Sequence, residues 1–110
     1  GRQLDHVPAS IDSLGPIVDA VGDRVEVMMD GGLRRGTDIV TALALGAKAC
    51  LIGRAHVYGL AAAGEAGVSH AIDLLTREVR MAMALLGVTR IDELTPSLVQ
   101  HRPKSRPAGW

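Results

Sequence analysis

The chain has 110 residues, 12 basic against 12 acidic side chains, and 47% hydrophobic residues. This balance excludes a disordered tail and a charge-driven nucleic-acid binder, so no nucleic-acid partner is expected. No apolar run approaches the roughly 18 residues of a membrane span, and no signal peptide is visible.

Residues 1–9 (GRQLDHVPA) read as a loop rich in hydrogen-bonding groups. Ser10 is placed as the N-cap of a helix over about 11–21, where Ile11, Leu14, Ile17, Val18 and Val21 fall at helical spacing. Gly15-Pro16 should break or delay that helix, because proline removes a donor and disfavours helix just before it. Gly22-Asp23 then turns into an apolar strand at about 25–29. Thr37 is read as the cap of a helix to about Leu45, stopped by Gly46, and a second strand covers about 49–52. A short helix over about 55–62 and a long one over about 65–86 follow, the latter ended by Gly87. Its apolar stripe is Val68, Ile72, Leu75, Val79, Ala82 and Leu86; Asp73 and Arg77 have the i, i+4 spacing of an ion pair. Residues 91–98 suggest one more short turn, started by Asp92 or by Thr95-Pro96, and 99–110 form a basic, proline-rich segment read as a mobile tail in preference to a binding arm. Met28, Met29, Met81 and Met83 are read as core filling. The single cysteine, Cys50, lies in the apolar run 49–52 and is read as a buried thiol, which suits a reducing cytoplasm.

Both strands are continuously apolar, as in a parallel sheet covered on both faces. Two such strands alone leave two unpaired edges. The expectation is therefore α/β: the C-terminal third of a TIM (β/α)8 barrel over residues 1–98, holding the last two βα units and a long C-terminal helix. The remaining strands come from another chain or segment, since a complete barrel takes about 250 residues.

The run 25–54, VEVMMDGGLRRGTDIVTALALGAKACLIGR, carries the chemistry. Two consecutive strands each end in glycine and arginine close to a helix start. Gly31 and Gly32 permit close backbone approach, so main-chain N–H groups can face an anion. Arg34, Arg35 and Arg54 supply permanent charge and forked donors suited to phosphate oxygens, and a helix beginning near 55 adds its N-terminal field. Asp30 would repel phosphate; it suits a hydroxyl or ring N–H as acceptor. The alternative for either turn by itself is a glycine bend with solvated arginines. Two linked turns at neighbouring strand ends favour a phosphate grip.

The stretches GRQLDHVPASIDSL, MMDGGLRRGTDIVTALALGAKACLIGR and GLAAAGEAGVSHAIDLLTREVRMAMALLGV resemble the FMN-dependent α-hydroxy-acid oxidases and dehydrogenases, over about residues 1–98. D-G-G-x-R-R-G-T is shared more loosely with other phosphate-binding barrels; G-R-Q-L-D and the G-E-A-G-V helix narrow the match. The resemblance implies that Asp30, Gly31, Gly32 and Arg34, with Gly53 and Arg54, hold the ribityl and phosphate groups of FMN. It implies that Arg2 pairs with the carboxylate of a small 2-hydroxy-acid substrate. It also implies that the catalytic histidine lies two residues before Gly1, and that the enzyme is a homo-oligomer, a tetramer or larger.

None of the histidines within the chain matches that base. His6 is read as surface or supporting packing, His56 as a helix-start residue near the phosphate, and His70 and His101 as helix-surface and tail residues. No histidine pair has metal-ligand spacing and one cysteine makes no zinc site, so no metal is expected. Two alternatives stay open. One is a different phosphate-binding barrel enzyme, such as a type 2 isopentenyl diphosphate isomerase, an inosine monophosphate dehydrogenase or a glutamate synthase. The other is a non-catalytic half-barrel that binds a phosphate ligand.

Overall fold

The structure is a computed structural model and describes residues 3–100. Five main elements follow in order: helix α1 (Ser10–Val21), strand β1 (Met28–Asp30), helix α2 (Gly36–Ala44), strand β2 (Ala49–Leu51) and the long helix α3 (Arg54–Leu86). Short 3-10 turns at Ile91–Glu93 and Pro96–Leu98 follow, in place of the one turn expected over 91–98.

β1 and β2 pair in parallel, in the register Met28–Ala49, Met29–Cys50 and Asp30–Leu51, with α2 as the crossover. Successive side chains of a strand point to opposite faces. Met29 and Cys50 therefore share one face, which carries α1 and α2. There Leu14, Met29, Ala42 and Ala47 are buried together, with Ile11, Val18, Val27, Leu33, Leu45 and Cys50 packed around them. Burial of Leu14 or Met29 is worth about 1.5–3 kcal/mol each. The other face shows Met28, 62% exposed, and Leu51, 49% exposed, with Asp30 and Ala49 beside them. This one-sided sheet corrects the reading of Met28 as core; Met81, at 66% exposure on α3, is likewise not core in this chain.

A second cluster joins α2 to α3. Val40, Ala44 and Leu94 are buried, with Val79, Ala82, Met83, Val88 and Val99 against them. Of the expected stripe, Val68, Leu75, Val79 and Ala82 are half-buried, while Ile72 and Leu86 are exposed. Asp73 and Arg77 form no ion pair; among the described residues such pairs join Asp23 to Arg24 and Arg90 to Asp92. Exposed side chains lose about as much in rotamer entropy as the pair gains.

Local details differ from expectation for identifiable reasons. α1 begins one residue early: Ala9 is the N-cap and its carbonyl accepts from Asp12 and Ser13 N–H, so Ser10 is the first helical residue. Pro16 lies inside α1 without ending it. The residue before it is Gly15, which has no Cβ to meet the proline ring. β1 starts three residues late, because Val25 N–H still donates to the Val21 carbonyl at 3.0 Å in the turn leaving α1. α3 is two helices merged across a kink at Ala63 and Gly64, which matches the expected boundary between 62 and 65. The two arms meet at Gly59 and Gly67, where a Cβ on either would collide with the other's carbonyl. Gly46 (φ +104) and Gly87 (φ +72) end α2 and α3 in the left-handed region, as expected of C-terminal stops.

Candidate functional site

The strand ends carry the site. Immediately after β1, Gly31 (φ +97) and Gly32 (φ +77) both lie in the left-handed region, where any side chain adds strain. The turn they make returns the chain to α2. Immediately after β2, Gly53 is the N-cap of α3 and Arg54 its first residue. Because the strands are adjacent and in register, these two turns face one cavity of about 650 Å³, lined by Asp30, Gly31, Gly32, Arg34, Gly53 and Arg54 together with Leu33, Leu51, Ala55 and Tyr58. The six residues expected to act together are thus brought together. Arg2 lies outside the described residues, as do His101 and the rest of the expected tail; Val99, at the start of that tail, packs on the second cluster.

The two helix starts near the cavity differ. α2 is capped by carboxylates: Asp38 Oδ2 accepts from the backbone N–H of Arg34 and of Arg35, each at 2.9 Å. Glu78 Oε2, from α3, accepts from Gly36 N–H at 2.6 Å. Arg35, not Thr37, is its N-cap. Among the described residues no side chain accepts from the first N–H groups of α3. Its first N–H groups and the positive end of its dipole therefore open at Gly53-Arg54, beside the glycine turn.

The glycines test what the cavity can hold. A Cβ on Gly32 or Gly53 would meet no atom of the described residues. Gly53 also has a negative φ of −106°, so neither packing among the described residues nor a left-handed backbone demands a glycine there. Open space beside uncapped N–H groups is what close approach of an anion needs. Among the described residues Arg34, Arg35 and Arg54 form no ion pair, which leaves their guanidinium donors without a carboxylate partner. Arg34 and Arg54 line the cavity; Arg35 lines an adjoining one with Gly32, Arg34, Asp38 and Glu78. These residues fit a phosphate-bearing group.

Outside the cavity, His6 is exposed, with a positive φ of 63°, and His70 is exposed on α3. His56, on the first turn of α3, is half-buried and does not line the cavity. Cys50 is half-buried, not fully buried, and partial burial raises its thiol pKa. Sequence reasoning missed Asp38 and Glu78, the two carboxylates that hold the loop. Asp38 was findable as an acid three residues after the N-cap. Glu78 is 42 residues from its partner and had no local signal.

Comparison with known proteins gives a consistent picture. The sequence profile of the FMN-dependent dehydrogenase family matches residues 1–101. L-lactate oxidase of Nostoc is 54% identical over 99 residues, 90% of this chain and 27% of the relative. Human 2-hydroxyacid oxidase 1 is 52% identical over 102 residues, 93% of this chain and 28% of the relative. The chain thus spans about a quarter of the length of these relatives. Among solved structures, a flavocytochrome b2 variant with sulfite bound superposes with a TM-score of 0.87 at 45% identity, covering 99% of this chain and 30% of that one. A mandelate oxidase variant with an FMN adduct gives 0.80 at 45% identity, covering 84% and 30%. The fold is part of the β/α barrel of these flavoenzymes. By the extent of the profile match, the chain belongs to the FMN-dependent dehydrogenase family.

Proposed function

We propose that this chain forms the last two βα units of a (β/α)8 barrel and supplies the FMN phosphate site of an enzyme that oxidises an L-2-hydroxy acid to the 2-oxo acid. The observation that carries this reading is the convergence of two strand-end glycine/arginine turns and an uncapped helix start on one cavity. Phosphate sites of such barrels sit beyond the last strands, at the start of a short extra helix. Here the arm of α3 before the kink takes that place.

Arg34 and Arg54 neutralise the phosphate, and the N–H groups at the start of α3 donate to its oxygens. Gly31, Gly32 and Gly53 keep side chains out of the way. Asp30 accepts from a ribityl hydroxyl or a ring N–H. Arg2 binds the substrate carboxylate through its two parallel donors. Bound FMN supplies the two-electron acceptor for the hydroxy-bearing carbon. The exposed face with Met28 and Leu51 supports a larger barrel, since it needs other strands and their side chains to cover it.

Anaerobic titration of the complete protein with L-lactate, glycolate and mandelate tests the reading. At least one should bleach the flavin. A flavin that stays oxidised with all three, under conditions where dithionite reduces it, overturns the 2-hydroxy-acid assignment.

A further inference from the structure

We infer that Glu78 is a positioning residue for the phosphate-binding loop, acting through the backbone of Gly36 rather than on the ligand. The inference rests on the phosphate-site reading above. Three successive N–H groups close the loop that starts at Gly31: those of Arg34, Arg35 and Gly36. Two carboxylates take all three, Asp38 the first two and Glu78 the third. Asp38 belongs to the loop's own helix and can only shape it locally. Glu78 belongs to α3, and it ties the loop to the element that carries the other half of the site.

That tie matters because the loop begins with two glycines, the residues that lose most conformational entropy when fixed. It has no regular structure between Asp30 and Gly36. Where the loop meets α3 the fit is tight: a Cβ on Gly36 would run into the backbone of Glu78 and Val79. A second close approach, Gly59 against Gly67, fixes the later arm of α3, which bears Glu78, on the earlier arm, which starts at Arg54. Arg34 and Arg54 are therefore linked by a continuous path: loop, Gly36 N–H, Glu78, the later arm, the glycine crossing, the earlier arm. The carboxylate is engaged by a main-chain donor, and neither Arg34 nor Arg35 forms an ion pair among the described residues.

A purely electrostatic role makes the opposite prediction. Removing a negative charge beside two arginines should tighten phosphate binding. A positioning role makes removal harmful and makes acceptor capacity, not charge, the property that matters.

The experiment measures dissociation constants of FMN and riboflavin for the complete protein and for Glu78→Ala and Glu78→Gln, with the melting temperature of each flavin-free form. Riboflavin lacks the phosphate, so the ratio of the two constants reports the phosphate site. Glu78→Ala should weaken FMN about tenfold, the scale of one lost hydrogen bond to a charged group, with riboflavin unchanged. Glu78→Gln keeps an oxygen acceptor and should stay within about twofold of the parent. Tighter or unchanged FMN binding in Glu78→Ala overturns the inference, and so does an equal loss for both flavins, which marks a general structural role. Equal losses in the Ala and Gln variants also overturn it. If Glu78→Ala does not fold, the Gln variant decides: a loss of FMN affinity well beyond twofold there refutes the dependence on an acceptor. A parent protein with no preference for FMN over riboflavin overturns the phosphate-site reading itself, and this inference with it.

Discussion

Replacing Gly53 with alanine separates what the chain needs from what its ligand needs. Most glycine substitutions confuse the two, because they strain the backbone or strike neighbouring atoms. At Gly53 neither happens: φ is −106°, and a Cβ meets nothing among the described residues. The unfolded state loses freedom, which stabilises by about 0.4–1 kcal/mol, and alanine is a poorer N-cap than glycine by about as much, so stability should change little. The ligand fares differently. Gly53 lines the cavity at the uncapped start of α3, where the proposed phosphate must approach the backbone closely. Forcing a methyl into a filled space costs about 1–3 kcal/mol, equivalent to roughly 5- to 150-fold in dissociation constant. Quenching of FMN fluorescence on binding to the complete protein measures the affinity, and thermal denaturation of the flavin-free form measures the stability. A Gly53→Ala protein that binds FMN as tightly as the parent refutes the placement of the phosphate. A melting temperature several degrees lower refutes the reading of the glycine as free of packing.

Gly36→Ala should behave in the opposite way, destabilising the complete protein by about 2–4 kcal/mol through the collision with α3 and loss of the Glu78 bond; an unchanged urea midpoint contradicts that packing. Arg34→Met should weaken FMN binding and reduce its dependence on salt, whereas Arg35→Met, outside the cavity at the strand ends, should change affinity less than about threefold; equal losses refute the distinction. Arg2→Met should raise the KM for the 2-hydroxy acid and slow flavin reduction, and unchanged stopped-flow reduction removes Arg2 from the site. Partial burial raises the Cys50 pKa, so at pH 8 less of it is thiolate than in the unfolded chain, and iodoacetamide should label the native protein more slowly. The thiol's contribution to stability is intact below its unfolded pKa and is lost as pH rises through the folded one. Labelling at the same rate in 6 M urea and in buffer contradicts it.

The legible parts of the sequence were those whose cause is local. Gly31 and Gly32 announce a turn, Gly46 and Gly87 announce helix ends, and the break at Ala63-Gly64 shows in the composition. The six cavity residues could be grouped because strand order alone puts two consecutive parallel strand ends side by side. What escaped has a distant partner. Gly36, Gly59 and Gly67 are glycines for the sake of another helix, and nothing near them in sequence says so. Glu78 looks like any solvated helix charge until α2 is placed against it. The rule that makes Pro16 a helix break is relaxed by its neighbour Gly15. Met28 lies in a continuous apolar run, and such a run does not say which face of the sheet this chain covers.

The measurement that bears most directly on the account compares FMN and riboflavin affinities of the complete protein before and after Arg54→Met. Arg54 stands at the helix start where both turns meet and forms no ion pair among the described residues. The parent should prefer FMN by about 100-fold or more, the scale of two charge-assisted contacts, and the variant should lose at least about tenfold of that preference while riboflavin binding stays the same. An unaltered preference in the variant would contradict the account.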